Sequence, residues 1–332
     1  MKTKGNIAVF VPHAGCPHQC SFCDQRAISG KAKSPTPQEV TELLLDAVAR
    51  LPHHMQAEIA FFGGSFTAIP RPRMEELLKA AFPFVDGEKI TGIRISTRPD
   101  AVDAAVLQLL KSYGVTAVEL GAQSMDDSVL ALNHRGHTAK DVVTAAGLIR
   151  QSGLELGLQM MTGLYGATNE SDRNTAHRLM ELAPDTVRIY PTLVLANTHL
   201  ETLYGKGDYT PPTLHDTVVF CAELMEAFES KGIRVIKLGL HADSLSQVVA
   251  GPCHPALREL CESQVYYQKA KQVLGNIGGQ AILRVHPSCL SKMIGQRRQN
   301  LQRLANEGWL VTVQGDQTLA PGEIQKGEII CS

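Results

Sequence analysis

The sequence predicts an α/β fold: an open, partial parallel β/α barrel of six to seven strands with a small C-terminal α+β appendix. Short β-branched or apolar runs recur along residues 6 to 239, and a segment with helical periodicity separates each run from the next. Strands that alternate with helices in this way form a parallel sheet with right-handed crossovers. Because six or seven strands are fewer than the eight that close such a barrel, we expect it to stay open.

Local signals predict the separate elements. Thr36, Pro37 and Glu39 supply an N-cap, a first-turn proline and a capping-box acid, and Thr138 with Asp141 repeats the pattern before the next helical segment. Candidate motifs follow each of the first four strands, so the chemistry is expected at their carboxyl ends. The strands are predicted at residues 6–13, 58–64, 92–100, 116–124, 154–161, 186–194 and 233–239.

Composition narrows the classes of protein. The chain has 332 residues, with 32 Lys and Arg against 33 Asp and Glu. This balance gives no global sign of binding to nucleic acid or to an acidic membrane, so either partner must be argued from a local feature. The start of the chain is basic, but its apolar run of about five residues is too short for a secretory signal, and no segment spans a bilayer. We expect a cytoplasmic protein without a membrane partner.

Three cysteines crowd the loop after the first predicted strand. Cys16, Cys20 and Cys23 form a Cys-x3-Cys-x2-Cys array among Gly, Pro and His residues. Crowded cysteines in a reducing compartment indicate metal. A structural zinc site takes four protein ligands, whereas a cubane 4Fe-4S cluster held by three cysteines leaves one iron open. The array favours the cluster. The alternatives are a zinc site that borrows His13 or His18, and a redox pair with a spare thiol.

The array resembles the signature of the radical S-adenosylmethionine superfamily. In that superfamily the open iron binds the amino and carboxylate groups of the methionine moiety, and electron transfer then releases a 5′-deoxyadenosyl radical that abstracts hydrogen. The resemblance implies a 4Fe-4S cluster on Cys16, Cys20 and Cys23, together with S-adenosylmethionine. It also implies an external electron donor such as ferredoxin or flavodoxin.

The same resemblance implies contacts with S-adenosylmethionine. Gly63-Gly64-Ser65 is similar to the superfamily's Gly-Gly-Glu motif, with Ser in place of the acid. Paired glycines let the backbone approach a ligand where a Cβ would obstruct it, although a plain strand-ending turn is the alternative. Phe22 occupies the position of the residue beside the adenine. Two residues at the end of the fourth strand complete the set of cofactor contacts: Gln123 and Ser124.

Longer strings resemble the radical domain of the Elongator catalytic subunit over residues 6 to 262. They occur in the same order with similar gaps: FFGGSF, STRPD, ELGAQS, NHRGHT, QMMTGL, RIYPTLVLANTHLETLY and GPCHPALREL. This resemblance implies hydrogen abstraction in the modification of tRNA or another RNA. Three arginines on one rim would suit an oxyanion, because guanidinium groups bind phosphate and carboxylate bidentately. The residues implied on the substrate side are Arg98, Arg135, His137, Arg188 and Tyr190.

Departures from that family limit the prediction. The chain beyond the resemblance is too short for the acetyltransferase domain that follows in the Elongator subunit, so acetyl-CoA chemistry is not expected. Ser96 stands where the family tends to have an acid, and Arg188 stands where it tends to have Lys. A shorter resemblance to oxygen-independent coproporphyrinogen oxidases, around GAQS and RGH, keeps a porphyrin-type carboxylate open as the substrate. A non-catalytic scaffold that binds a cluster is the remaining alternative.

The tail is predicted as a separate element. We place a boundary between a barrel domain, 1–262, and a small basic β-α-β appendix, 263–332, that reads as strand, helix and hairpin. Part of it resembles the Ile-Gly-x-x-Gly-x-x-Ile centre of a KH-type RNA-binding module, with Arg298 where the second glycine stands. Residues 281–305 are predicted either as a solvated basic helix without a ligand or as a binding surface for RNA such as tRNA. That segment has no acid and five basic residues: Arg284, Lys292, Arg297, Arg298 and Arg303.

Overall fold

The computed structural model describes residues 3–12, 16, 19–24, 33–240 and 247–327. His13 and His18, which the zinc alternative requires, lie outside the described residues. The chain forms two compact units: Met1–Pro212 with Phe228–Cys253, and Thr213–Ala227 with His254–Ser332. The boundary expected after residue 262 falls within a helix, Leu257–Leu274.

The first unit contains a seven-stranded parallel sheet that curls into a half-barrel. Its strands are β1 (Thr3–Phe10), β2 (Met55–Phe62), β3 (Ile90–Thr97), β4 (Val115–Gln123), β5 (Glu155–Thr162), β6 (Thr186–Pro191) and β8 (Arg234–Leu238). They lie in chain order across the sheet, so each crossover returns beside the strand before it. The predicted open β/α barrel is confirmed.

One strand prediction needs correction. The expected strand 186–194 ends at Pro191, and β7 (Val194–Leu195) instead pairs antiparallel with β9 (Val248–Ala250) in a separate two-stranded sheet. The α-helices of the described residues are α1 (Pro37–Arg50), α2 (Arg71–Ala81), α3 (Ala104–Ser112), α4 (Asp127–Leu132), α5 (Ala139–Gln151), α6 (Asn169–Glu181), α7 (His199–Lys206), α8 (Leu214–Ser230), α9 (Leu257–Leu274), α10 (Leu290–Ile294) and α11 (Gln299–Asn306).

Helix caps and a buried sheet explain why this part of the sequence folds as it does. Both predicted capping boxes form, Thr36 with Glu39 and Thr138 with Asp141, and each satisfies backbone N–H groups that the first helical turn leaves unpaired. The central strands carry fully buried branched residues such as Ile95. Burial of each such side chain stabilises the fold by about 1.5–3 kcal/mol relative to exposure.

The second unit is built on a three-stranded sheet. Its strands are β10 (Gly279–Val285), β11 (Trp309–Gly315) and β12 (Ile324–Gly327), in the order β11-β10-β12. The predicted single helix is wrong, because α10 and α11 both lie between β10 and β11. The predicted hairpin is also wrong: β11 runs parallel to β10, and β12 pairs antiparallel with β10 on its other side. Tyr266, Leu283 and Trp309 belong to the apolar core of this unit.

In the part of the chain that the structure describes, no helix combines the length and the apolar character needed to cross a bilayer.

Candidate active site

The cysteine loop lies against the ends of several barrel strands. Cys16 is exposed as a residue, yet its thiol accepts a hydrogen bond from the Ser65 backbone N–H. Desolvation raises the pKa of this thiol, and a nearby Cys20 thiolate raises it further, whereas the Arg135 and Arg98 guanidiniums lower it. These electrostatic neighbours place Cys16 beside residues that follow β2, β3 and β4.

Arg135 links the cysteine loop to the end of β4. Its Nη1 donates to the Cys20 Sγ across 3.1 Å, and its Nη2 donates to the Gly121 carbonyl across 2.7 Å. The Arg135 residue is only 9% exposed, and its buried Nε has no hydrogen-bond partner among the described residues. A buried guanidinium beside a sulfur stabilises negative charge on that sulfur. Cys23 follows in a turn, where its N–H donates to the Cys20 carbonyl across 3.2 Å.

Sequence reasoning missed the contact that tethers this loop. Ser21 donates its N–H to the Asn133 carbonyl across 3.2 Å and its hydroxyl to Asn133 Oδ1 across 2.7 Å. The Asn133 amide donates in turn to the Val129 and Tyr165 carbonyls, both at 2.8 Å. Only the position of Asn133 inside the NHRGHT string could have drawn attention to it. Phe22, the next residue along the loop, packs against two apolar clusters, which further fixes this part of the loop.

The Gly63-Gly64-Ser65 segment turns sharply after β2. Gly63 has φ +96°, a backbone conformation that L side chains rarely adopt. Ser65 is buried, and its hydroxyl accepts a hydrogen bond from the Arg98 backbone N–H at 3.0 Å and lies 3.1 Å from the Thr97 hydroxyl. Ser65 therefore joins the ends of β2 and β3 through its side chain, at the position where the related motif has an acid.

Gln123 ends β4 with an unusual backbone. Its φ is +67°, and the register with β5 shifts between Gly121 and Gln123. A non-glycine residue in the left-handed region costs on the order of 1–3 kcal/mol, and such residues cluster at functional sites. Its side-chain oxygen accepts a hydrogen bond from Gln159 at 3.2 Å. The next residue, Ser124, is buried and accepts a hydrogen bond from the Asp126 N–H at 3.1 Å.

His137 is held neutral next to this edge. It is buried, and its Nε2 lies 3.1 Å from the Ala122 carbonyl, which fits an Nε2–H donor. Burial and the neighbouring Arg135 lower the pKa of His137 to about 4. Its other ring nitrogen, Nδ1, is buried and meets no hydrogen-bond partner in the described segments.

The other two arginines predicted on the substrate side are bound to carboxylates. Arg98 binds Asp100 through two contacts of 2.9 and 2.5 Å. Arg188 donates its Nη2 to Glu119 Oε1 across 2.9 Å, and its guanidinium lies 4.8 Å from the centre of the Phe62 ring. Tyr190 is partly buried beside Arg188, and desolvation raises the pKa of its hydroxyl. Of the three arginines predicted to bind an oxyanion, only Arg135 has no carboxylate partner among the described residues.

Glu119, which sequence reasoning missed, is the carboxylate shared by Arg188 and another arginine. It is only 3% exposed and also forms an ion pair with Arg94 at 3.3 Å. Arg94 binds Glu58 and Glu155 as well, at 2.8 and 2.9 Å. The Ser96 hydroxyl lies 3.4 Å from Glu119 Oε2. Both departures from the related family, at residues 96 and 188, thus face this one acid.

The donor set fits an iron–sulfur cluster by its chemistry. Cys16, Cys20 and Cys23 form no disulfide bond among the described residues, and thiolates are the ligands of such clusters. Among the residues with described positions, no three His, Cys, Asp or Glu side chains are grouped as a ready-made metal site. The fit therefore rests on the thiol chemistry of the loop and on its place at the strand ends.

Comparison with protein families agrees with this geometry. The sequence profile of the Radical SAM superfamily matches residues 10–179, and that of the Radical_SAM C-terminal domain matches residues 184–267. The chain belongs to the radical SAM superfamily. It is a radical SAM enzyme, and members of this superfamily use a 4Fe-4S cluster and S-adenosylmethionine.

The similar curated proteins include enzymes of tRNA. The chain is 28% identical over 239 residues to the tRNA uridine(34) acetyltransferase of Dehalococcoides mccartyi, which covers 62% of this chain and 52% of that protein. It is 26% identical over 287 residues to Elongator complex protein 3 of Homo sapiens, which covers 77% of this chain and 51% of that protein. The chain thus spans about half the length of these two relatives.

Solved structures share the fold. The archaeal Methanocaldococcus infernus Elp3, lacking its N-terminus, superposes with a TM-score of 0.60 at 21% identity, over 81% of this chain and 68% of that chain. Streptococcus suis SuiB bound to S-adenosylmethionine gives a TM-score of 0.51 at 13% identity, over 71% and 51% of the two chains. At these identities the likeness concerns the fold alone.

Proposed function

We propose that this enzyme modifies tRNA or another RNA through hydrogen abstraction. The observation that carries the proposal is the contact of Arg135 with Cys20, which brings the cysteine loop onto the strand ends where the predicted cofactor and substrate residues lie. The RNA substrate is supported by relatives whose names specify tRNA uridine(34). A cytoplasmic location fits such a substrate.

Cys16, Cys20 and Cys23 are the proposed cluster ligands. The bound cluster and S-adenosylmethionine supply an electron and a radical that abstracts hydrogen. Arg135 stabilises thiolate charge at Cys20, because its Nη1 already donates to that sulfur at 3.1 Å. Ser65 donates its backbone N–H to Cys16 and orients that thiol from the end of β2.

Five further groups are proposed to hold S-adenosylmethionine. The Gly63-Gly64 turn offers backbone carbonyls without a Cβ, which suits close approach of the methionyl ammonium. Gln123 presents its amide from a strained backbone at the end of β4. Ser65 contributes its main-chain carbonyl, since its N–H is directed to Cys16 and its hydroxyl is engaged with Thr97 and Arg98. The remaining two contacts in this proposal are Phe22 and Ser124.

Most ionisable side chains on the substrate side of the proposed site are either uncharged or already paired with an opposite charge. His137 is neutral at physiological pH because its pKa is about 4, so its Nε2–H donates to the Ala122 carbonyl and its Nδ1 is left as a hydrogen-bond acceptor, not a cation. Arg98 and Arg188 are bound to Asp100 and Glu119, and Tyr190 lies beside Arg188. Paired charges of this kind favour a polar, uncharged group such as a nucleobase over a polycarboxylate. This is why RNA is preferred here to a porphyrin-type substrate.

Anaerobic turnover assays test the proposal. The cluster-loaded enzyme, given S-adenosylmethionine and reduced flavodoxin or ferredoxin, is expected to form 5′-deoxyadenosine faster when unmodified tRNA is added. Coproporphyrinogen at equal concentration serves as the control substrate. Stimulation by coproporphyrinogen alone would assign the porphyrin-type reaction instead. Failure to form 5′-deoxyadenosine under any of these conditions would identify a non-catalytic scaffold.

A further inference from the structure

The second unit exposes a polar loop between α10 and α11. This arginine loop, residues 295–299, presents four consecutive exposed side chains, Gln296, Arg297, Arg298 and Gln299. It lies outside the segments that match the two family profiles, which end at residues 179 and 267. Its role is therefore independent of the residues that define the superfamily.

A buried frame holds the loop in one conformation. Asn300 is 2% exposed, and its Nδ2 lies 2.8 Å from the Ser263 carbonyl and 3.1 Å from the Met293 carbonyl. It thereby connects the end of α10 with α9. Gly295 completes the frame: a Cβ there would lie 2.9 Å from the Ser263 hydroxyl and 3.1 Å from the Asn300 backbone nitrogen. Only glycine fits this close approach.

The arginines adopt a backbone that their side chains disfavour. Arg297 has φ +52° and Arg298 has φ +62°, both in the left-handed region. The Arg298 N–H closes the turn by donating to the Gly295 carbonyl across 3.0 Å. Arg298 stands where the KH-type motif has its second glycine, and it keeps the conformation that a glycine would adopt there most easily. Two such residues in sequence cost on the order of 1–3 kcal/mol each, and the frame must supply that energy.

The charges of the loop are uncompensated, unlike those of its neighbours. Lys292 forms an ion pair with Glu262 at 3.0 Å. Arg303 donates to the Gln264 side chain across 2.7 Å and lies 3.5 Å from the centre of the Tyr267 ring. Of the five basic residues that the sequence singled out, these two are used inside the unit. Within residues 247–327 and the other described ranges, Arg297 and Arg298 form no ion pair.

We infer that the arginine loop is a binding site for the phosphodiester backbone of RNA. Two adjacent, exposed guanidiniums on one turn place two positive charges side by side, and arginine binds phosphate oxygens bidentately. An acidic protein is the less favoured partner, because the loop offers no aromatic or aliphatic side chain of the kind that forms the centre of a protein interface. The inference rests on the proposed function in its choice of RNA as the nucleic acid.

Contacts of this type are electrostatic and independent of sequence. Binding is therefore expected to weaken steeply with salt, with a slope of about −0.7 per phosphate contact for single-stranded regions. Replacing both arginines with Ala removes about two such contacts. The magnitude of the salt slope is then expected to fall by on the order of one to one and a half, and affinity at low salt by on the order of tenfold.

Titrations of the full-length protein against fluorescein-labelled tRNA over a series of KCl concentrations test this. The variants are Arg297→Ala/Arg298→Ala, Arg297→Lys/Arg298→Lys, and a control, Arg71→Ala/Lys140→Ala, which loses the same charge from exposed positions in the first unit. We expect the alanine pair to lose slope and affinity, the lysine pair to keep most of the slope, and the control to match wild type. Unlabelled poly(U) is expected to displace the probe more effectively than polyglutamate of equal charge.

Two results would overturn the inference. Equal slopes for wild type and the alanine pair would show that RNA binds elsewhere, and equal displacement by polyglutamate would show a general polyanion surface. Neither depends on turnover, so the inference can fail while tRNA still stimulates 5′-deoxyadenosine formation. The reverse also holds: tRNA that binds through the loop without stimulating turnover contradicts the proposed function and leaves the inference standing.

Discussion

Two arginine side chains are largely buried and paired in the barrel, whereas two are exposed and unpaired in the arginine loop of the described structure. At the barrel end, which comprises the cysteine loop and the residues after β2, β3 and β4, Arg98 is largely buried and bound to a carboxylate, and the same holds for Arg188 within β6. In the second unit, Arg297 and Arg298 are exposed and uncompensated in the described structure. The reason is the cost of desolvation: a buried charge requires a partner, whereas water solvates an exposed one. An arginine counted from sequence is thus a candidate anion ligand only when the folded chain gives it no carboxylate partner.

The largest expected effect is loss of the cluster at the barrel end with no change in RNA binding by the arginine loop. Replacing Cys16, Cys20 or Cys23 with Ala is expected to abolish the 4Fe-4S absorbance and bound iron, because two protein thiolates hold a cubane too weakly. Cys253→Ala is the matched control and should retain the cluster. Salt-dependent tRNA binding should be the same in all four variants. A cysteine variant that reconstitutes normal iron and sulfide would refute the assignment of the ligands.

The next effect is a loss of stability when a buried ion pair inside the barrel is broken. Glu119→Gln leaves Arg94 and Arg188 buried with one fewer carboxylate, so we expect the free energy of unfolding to fall by about 3–5 kcal/mol. The control is Glu76→Gln, which breaks the exposed Arg73–Glu76 pair and should cost less than about 1 kcal/mol. Chemical denaturation compares the two. Similar small losses in both variants would mean that the buried pairs contribute no more than exposed ones.

A buried carboxyl makes stability depend on pH. Asp172 is 1% exposed, and desolvation raises its pKa to about 7, although the Gly163 N–H donates to it. Because the folded state holds this proton more tightly than the unfolded state, stability is expected to fall as pH rises from about 4 to 7, by roughly 3–4 kcal/mol, and then level off. His137 acts in the opposite direction between about pH 4 and 6.5, since its pKa is lowered.

The contribution of Asp172 to the pH dependence of stability is obtained by comparing wild type with a variant that cannot ionise at this position. Asp172→Asn keeps an acceptor for the Gly163 N–H but cannot ionise. The free energy of unfolding of wild type minus that of the variant should therefore decline between pH 4 and 7. A difference that stays constant across this range would show that the carboxyl is not desolvated in solution.

The smallest effect at the barrel end concerns the glycine turn. Gly64→Val puts a branched side chain where the methionyl group is proposed to lie, so S-adenosylmethionine should bind at least about tenfold more weakly while the cluster absorbance persists. Gly147→Ala, in α5 with open space around its Cβ position, is the control and should bind normally. Calorimetry on the cluster-loaded proteins measures both. Unchanged affinity in Gly64→Val would make the turn merely structural.

The sequence by itself determined what depends on local patterns. Alternating strand and helix periodicity predicted the open barrel, and the Thr36 and Thr138 capping boxes formed as expected, because each involves residues only three apart. The cysteine array identified the superfamily for the same reason, since its chemistry lies in the spacing of Cys16, Cys20 and Cys23.

Tertiary structure decided which groups are available. The Ser21–Asn133 contact joins residues 112 positions apart, and Glu119 receives Arg94 and Arg188 from other strands. No local pattern encodes such pairs. The left-handed backbone of Gln123 and the pairing of β12 with β10 likewise depend on how strands register across the sheet. Burial, which only the folded chain sets, turned most of the predicted anion-binding arginines into structural ion pairs and left Arg297 and Arg298 free for a partner.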